Sequence, residues 1–417
     1  MTNRYARLLL VVVLVGLCLW AIQAAGAFGL SRVLVRYALA KEDLTVATKA
    51  VELSPSDPEA HLAGAAVLSS RHRPAESVVE LERALALRPA DYSLWLQLGR
   101  LRDQMGQSAA ALAAFDETIK LAPFYSLPRW QRGNLLLRAG QYDQAFRDLS
   151  QAAQSNPQRL PALIELAWNI SRGDPKLTAQ WANIQSDRGR IAFAGFLARQ
   201  GKSPEVMAQL QAITVIPEES RHQLVEQLLA KGAFAEAFEV WKAEQGHELA
   251  NQEPKTRIHD GGFEAPLTFD AGGFGWRLSR PSNGVALSVN SGQPHSGEKN
   301  LRIDFSGDSN PGTELISQIV LVEPSRSYQI NFGSRAQDVV TGGLPLVVVT
   351  DAQGERKRLG QSAPLGNASD WKVASFEFST GPTTTAVVLS VLRENCSTSP
   401  CPIFGSVSLD SFSVAPR

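Results

Sequence analysis

The sequence predicts a multidomain chain, α then β: an α-solenoid, then an antiparallel β-sandwich, with one apolar helix ahead of both. Three observations carry this reading. Pro55, Pro89, Pro123 and Pro157 recur at a spacing of 34 residues, which marks a stacked helical unit. Beyond Asp260 the apolar residues alternate with polar ones between turn clusters, the pattern of half-buried strands. From Leu8 to Leu30 the chain is apolar almost without interruption. A length of 417 residues allows two or three domains, at roughly 150 residues each. With 44% hydrophobic and 20% charged residues the chain is globular rather than disordered. Its formal net charge of zero exerts no global pull toward nucleic acid, and no nucleic-acid partner is expected.

The first element begins with MTNRYAR and continues as LLLVVVLVGLCLWAI, then Gln23, then AAGAFGL. Residues 8–30 suffice for one membrane-spanning helix, which needs ~20 apolar residues. The basic leader with Arg4 and Arg7, followed by the small triplet Ala25-Gly26-Ala27, also fits a cleavable secretory signal. Cys18 does not suit lipidation, because Leu17 precedes it where a small residue is needed. Either reading exports the rest of the chain. Flanking charge does not decide the orientation, since Arg32, Arg36 and Lys41 compete with the leader. Residues 1–30 are thus an anchor or signal segment. The retained anchor is favoured, because counting the 34-residue period backwards starts the first repeat helix near 24–38, which cleavage after Ala27 would cut.

The solenoid is expected over 31–245. Ala50, Ala84, Thr118 and Ala152 hold one register, and Ala47, Leu81, Phe115 and Leu149 another. Within one period Leu94, Trp95, Leu98 and Leu101 share a helix face, as do Ala111, Leu112, Phe115 and Ile119. Met105-Gly106-Gln107 is the turn between them, with Gly106 able to take a positive φ. Gly99 and Ala111 allow close approach of the two helices, and Pro123 closes the unit. Further hairpins are expected at 191–213 and 219–244.

With Trp95, Leu98, Gly99, Ala111, Phe115 and Pro123 at the signature spacing, the stretch resembles the tetratricopeptide repeat; Arg102 and Thr118 depart from the usual residues. The resemblance is clear over 24–157 and fades afterwards. It implies a concave groove, lined by the first helix of each pair, that binds a protein partner. The implied groove positions are Arg100, Asp103, Gln104, Trp130, Asn134, Leu137, Arg138, Ile164, Trp168 and Arg172. Trp130 and Trp168 beside arginines suit interface anchors. The alternative is that both tryptophans pack between helices. Some members of the family clamp a C-terminal carboxylate with Asn and basic residues, of which Asn134 and Arg138 alone have counterparts here.

After a linker at 246–259, residues 260–417 carry the period-two runs Val285-Leu287-Val289, Leu301-Ile303-Phe305, Tyr328-Ile330-Phe332 and Phe376-Phe378. About eight or nine short strands imply an antiparallel sandwich. The order DGGFE, FGWRLSR, SGEKNLRI, PSRSYQINF, DWKVASFEF and GSVSLDSFSV resembles the jelly-roll carbohydrate-binding modules of the galactose-binding-like superfamily. That resemblance implies a structural calcium ion at Glu264 and Asp410, against the plain reading of two ordinary carboxylates. It also places Trp276 and Trp371 against the core, while Tyr328 reads as core from its alternation. The domain is therefore either a glycan binder or a carbohydrate-binding fold reused for protein contacts or packing.

Cys396 and Cys401 in ENCSTSPCP are expected to form a disulfide, because the chain is read as exported. A metal pair is the alternative, but no His or further Cys lies nearby to complete it. The sequence contains no HExxH, GxSxG or phosphate-cradling loop, and its six histidines are scattered, so no catalytic activity is expected. The expected function is a non-catalytic, membrane-anchored envelope scaffold that recruits a protein and presents the jelly roll outside the cytoplasm, periplasmic or at the cell surface. A glycan-binding adaptor in exopolysaccharide assembly or export is the alternative, and a glycan-active enzyme is a second one.

Overall fold

A computed structural model describes residues 2–243, 258–267, 272–278, 284–307, 309, 311–396 and 400–417. Most of the expected linker at 246–259 lies outside the described residues. The chain forms two compact units, Met1–Ile184 and Gln185–Arg417.

The first unit begins with α1 (Thr2–Lys41), one unbroken helix of 40 residues, about 60 Å long at 1.5 Å per residue. Leu8 to Ile22 are exposed along it. From Ser31 onward its inner face is buried. Ser31 Oγ donates to the carbonyl of Ala50 at 2.9 Å. Val35 packs with Ala50, Ala60 and Ala63, and Ala38 packs with Ala47 and Val67. The helix is thus apolar and bare at one end and the first helix of the solenoid at the other.

Its partner is α2 (Leu44–Leu53), followed by the pairs α3 (Pro58–Ser70) and α4 (Pro74–Leu87), α5 (Tyr92–Gln104) and α6 (Ser108–Leu121), α7 (Ser126–Arg138) and α8 (Tyr142–Ser155), and α9 (Leu160–Ile170) and α10 (Pro175–Trp181). Asp57 and Asp91, one period apart, cap α3 and α5 by accepting the N–H groups of Glu59 and Ser93. Gly106 turns the chain at φ 73°, a left-handed conformation in which a side chain is strained. Gly99 has a different reason. A Cβ there would sit 2.6 Å from the Phe115 ring, so the absence of a side chain sets the α5–α6 distance.

The second unit opens with two more pairs, α11 (Asp187–Arg199) with α12 (Ser203–Leu210) and α13 (Glu218–Ala230) with α14 (Phe234–Lys242). These four helices are compact with the sandwich, so the change of secondary structure and the division into units fall at different places.

Among the described residues the sandwich forms two five-stranded antiparallel sheets. One runs β1 (Arg277–Leu278), β4 (Ile316–Leu321), β9 (Ala386–Arg393), β6 (Pro345–Asp351), β7 (Arg358–Gln361); the other runs β2 (Val285–Asn290), β3 (Asn300–Gly307), β10 (Ile403–Pro416), β5 (Ser327–Thr341), β8 (Ala368–Ser379). The jelly-roll core lies between them, with Ile303, Ile330, Phe332, Val347, Val349, Leu389 and Val407 among its members.

The first sheet is also buried on its outer side: Leu346, Val348, Val388 and Ser390 alternate with the core residues and are equally inaccessible. Strands buried on both faces read as continuous apolar runs rather than alternating ones. LPLVVV and AVVLSVL are such runs. The α13–α14 hairpin lies on this side. Glu226 accepts from Arg277 of β1 at 2.9 Å, and the hairpin turn at Gly232 faces Gln353, just beyond β6. Phe274 packs between Phe238 and Trp241, and Trp241 meets the edge of His259 at 5.0 Å.

Candidate partner-binding groove

The first helices α5, α7 and α9 carry the positions expected to face a partner, apart from Arg172. Between α3 and α5 lies a cavity of about 390 Å³, lined by Ala65, Ala66, Ser69, Ser70, Gln97, Arg100 and Gln104 among others. The small residues of α3 leave the space, and α5 supplies the polar groups. Arg100 is exposed there and has no ion-pair partner among the described residues. It is a cation held at the edge of a cavity with its donors unspent, and an anionic group entering the cavity would meet it.

The other expected positions are more engaged. Arg138 Nη2 reaches both oxygens of Asp103 on α5, at 2.7 and 2.6 Å. Asn134 turns back on its own helix and donates to the carbonyl of Trp130 at 2.9 Å. Trp130 is half-buried, with the Arg159 guanidinium 4.8 Å over its ring. Trp168 is half-buried against the turn after α9, where a Cβ at Gly173 would lie 3.3 Å from its ring. Arg172 stands in that turn rather than on a helix, at φ 58°. The structure therefore joins Arg138 to Asp103 and Asn134 to Trp130. Arg100 and Arg172 stand apart from them.

Sequence reasoning did not single out a charged cluster around α7. Arg132 donates to both oxygens of Asp148 at 2.6 Å and to Asp116 at 2.5 Å, and Arg129 lies 3.7 Å from Asp148. Asp148 is buried. The hydrogen bonds from its partners push the Arg132 guanidinium above its ordinary pKa, Asp148 first, opposed by desolvation. The signal was in the register. One period earlier, Arg132 and Asp148 correspond to Leu98 and Ala114, an apolar pair in the core of the preceding repeat. A part-buried ion pair thus stands where the neighbouring repeat places a leucine and an alanine in its core. The cluster borders a cavity of about 470 Å³ lined also by Leu112, Gln144 and Gln151.

In the sandwich, Glu264 and Asp410 meet the same loop. Asp410 accepts the N–H groups of His295, Ser296 and Ser411, and Glu264 Oε1 those of Glu298 and Lys299. The Lys299 ammonium donates to the carbonyl of Glu264 at 2.5 Å. Both carboxylates thus serve backbone donors, and they approach each other around Gly262, where a Cβ would lie 3.7 Å from Asp410 Oδ1 and 3.8 Å from Glu264 Oε1.

Trp276 is buried in an aromatic cluster with Phe263 and Phe412, and Tyr328 is core. Trp371 departs from the expected core position. It is half-buried, donates its indole N–H to the carbonyl of Gln293, and carries the Arg335 guanidinium 5.0 Å over its ring. The bulge between Ser334 and Ala336 shifts the β5–β8 register beside it. Cys396 and Cys401 are bonded to each other.

With this geometry in hand, residues 92–125 match the family model of the tetratricopeptide repeat. They are α5, α6 and the following turn. The first unit is accordingly a solenoid of tetratricopeptide-like helix pairs, a class that acts through protein–protein contacts. FlbA of Caulobacter vibrioides is 31% identical over 101 residues, 24% of this chain and 17% of that protein. The chain thus spans less than a fifth of that curated relative. A solved MamA fragment from Desulfovibrio magneticus covers 46% of this chain and 98% of its own, at 16% identity and TM-score 0.33. A solved CBM4 structure covers 38% and 99%, at 14% identity and TM-score 0.30.

Proposed function

We propose that the chain is a non-catalytic envelope scaffold, anchored by α1, which recruits a protein partner through the groove of its first unit and carries the jelly roll outside the cytoplasm. The observation that carries this reading is Arg100, an uncommitted guanidinium on the first helix of the matched repeat, beside the cavity between α3 and α5. Such a position favours an acidic or carboxylate-bearing partner segment. The N-terminal placement is supported by α1, which is long and apolar enough to cross a membrane from Arg7 onward and continues without a break into the buried helix-pair packing at Ser31. A retained anchor is favoured by this continuity, since cleavage after Ala27 would leave only Phe28, Gly29 and Leu30 ahead of the packed face. The glycan-adaptor reading has less support: one sheet is buried on both faces, and the half-buried Trp371 ring is covered by Arg335.

The test is site-specific photo-crosslinking in cells, with the probe at Gln104 in the groove or at Glu117 on α6. A discrete protein adduct from Gln104, absent from Glu117 and lost on Arg100→Glu with an unchanged melting temperature, is expected. Equal adducts from both positions would remove the groove assignment. Mass spectrometry of the membrane fraction should recover the N-terminal peptide, whereas a mature start at Phe28 in soluble extract would overturn the anchor. A positive glycan array with the full chain would shift the reading to the adaptor.

A further inference from the structure

Arg393, at the end of β9, is buried to 1% exposure. Its guanidinium meets no carboxylate among the described residues. It donates to the carbonyls of Ser309, Gly343 and Cys401, to Thr341 Oγ1, and to Cys401 Sγ at 3.2 Å. A buried cation without a counter-charge is costly, and dipoles compensate only in part. Desolvation accordingly lowers the Arg393 pKa. Of these acceptors around the guanidinium, only Cys401 Sγ can become an anion. In the disulfide it is neutral.

We propose that Cys396–Cys401 is a thiol–disulfide exchange site, with Cys401 the leaving sulfur and Arg393 the group that holds it as thiolate. The co-reactant is a dithiol, small or carried by a protein. Its thiolate attacks Cys396 Sγ, the sulfur–sulfur bond breaks, and the electron pair departs on Cys401 beside the guanidinium. The second thiol then attacks its own sulfur in the mixed disulfide and expels Cys396, which takes up a proton. The dithiol is oxidised by two electrons and the cysteine pair is reduced by two. One proton ends on Cys396 and the other in solvent. A lower pKa makes the better leaving thiol, and a neighbouring arginine lowers it.

The surroundings suit this chemistry. Both cysteines are half-exposed. A Cβ at Gly342 would lie 3.1 Å from Cys396 Sγ, so the bond is seated on the turn between β5 and β6. Reduction would free the β9–β10 connection from that turn.

The experiment uses the full chain in detergent, with Cys18→Ser to remove the free thiol on α1. Cys396→Ser leaves Cys401 alone, and Cys401→Ser leaves Cys396 alone. Iodoacetamide alkylation against pH, read by intact mass, titrates each thiol. Cys401 is expected about two units below Cys396 and below an ordinary thiol at about 8.5. Arg393→Lys should keep most of the gap and Arg393→Gln should close it. Cys401 titrating within about half a unit of Cys396, or at the ordinary value, would overturn the proposal. If Arg393→Gln fails to fold, the comparison of the two single-thiol chains decides by itself.

Discussion

The part-buried ion pair of α7 and α8 makes a sharp prediction. Asp148→Ala leaves the Arg132 side chain, 24% exposed, with only the half-exposed Asp116 to face. Breaking a fully buried pair costs about 3–5 kcal/mol, because a charge is left without its partner. Water reaches Arg132 in part and Asp116 remains, so the lower end, about 3 kcal/mol, is expected. The double variant Arg132→Leu with Asp148→Ala restores the Leu98 and Ala114 pair of the preceding repeat. Replacing a buried ion pair by packed apolar groups is often neutral or stabilising by about 1–4 kcal/mol. The double variant should therefore recover wild-type stability or exceed it. Urea denaturation of the full chain in detergent, followed by far-UV circular dichroism, measures both. A double variant as damaged as Asp148→Ala would refute the reasoning. The site would then not be interchangeable with its neighbour, and the charges themselves would be stabilising the fold.

Two glycines should respond to alanine with opposite signs. Gly99→Ala drives a Cβ into the buried Phe115 ring and should cost about 1–3 kcal/mol, whereas Gly64→Ala makes only an ordinary contact with the Glu80 stem at 3.7 Å and should gain about 0.5–1 kcal/mol; equal shifts in melting would contradict the packing argument. Asp260 gives a pH test. Burial raises its carboxyl pKa above the ordinary value, against the hydrogen bonds it accepts from the N–H groups of Glu264 and Ala265. A raised folded-state pKa contributes stability that is present below the ordinary carboxylate range and lost as pH rises through the folded value. Relative to Asp260→Asn, wild type should therefore gain stability as pH falls from neutral into that range, and parallel melting profiles would exclude the effect.

Much of the architecture was legible because it repeats or because it is local. The 34-residue recurrence, the Gly106 turn and the apolar stretch of α1 each depend on neighbours in sequence, and a helix pair needs only its own period to declare itself. The strand β5 declared itself by alternation, since one face of that sheet meets the core and the other does not. What the residues around each groove position are doing is a different matter. Arg138 and Asp103 are 35 positions apart, and Trp130 is covered by an arginine from the turn after α8. Such pairings form only when consecutive repeats stack, so a register can name the positions but cannot say which are already spent. The exchange of Leu98 and Ala114 for Arg132 and Asp148 lies between these cases: the register exposes the substitution, and only packing shows that the two charges meet. The same holds at Arg393. Its sequence position at a strand end suggests a solvated residue, yet the closing of β9 against the β5–β6 turn removes it from water and leaves a cysteine sulfur in its shell. Periodicity is written in spacing along the chain. The state of each charge was decided by what folding brought beside it, because burial and pairing energies depend on neighbours distant in sequence.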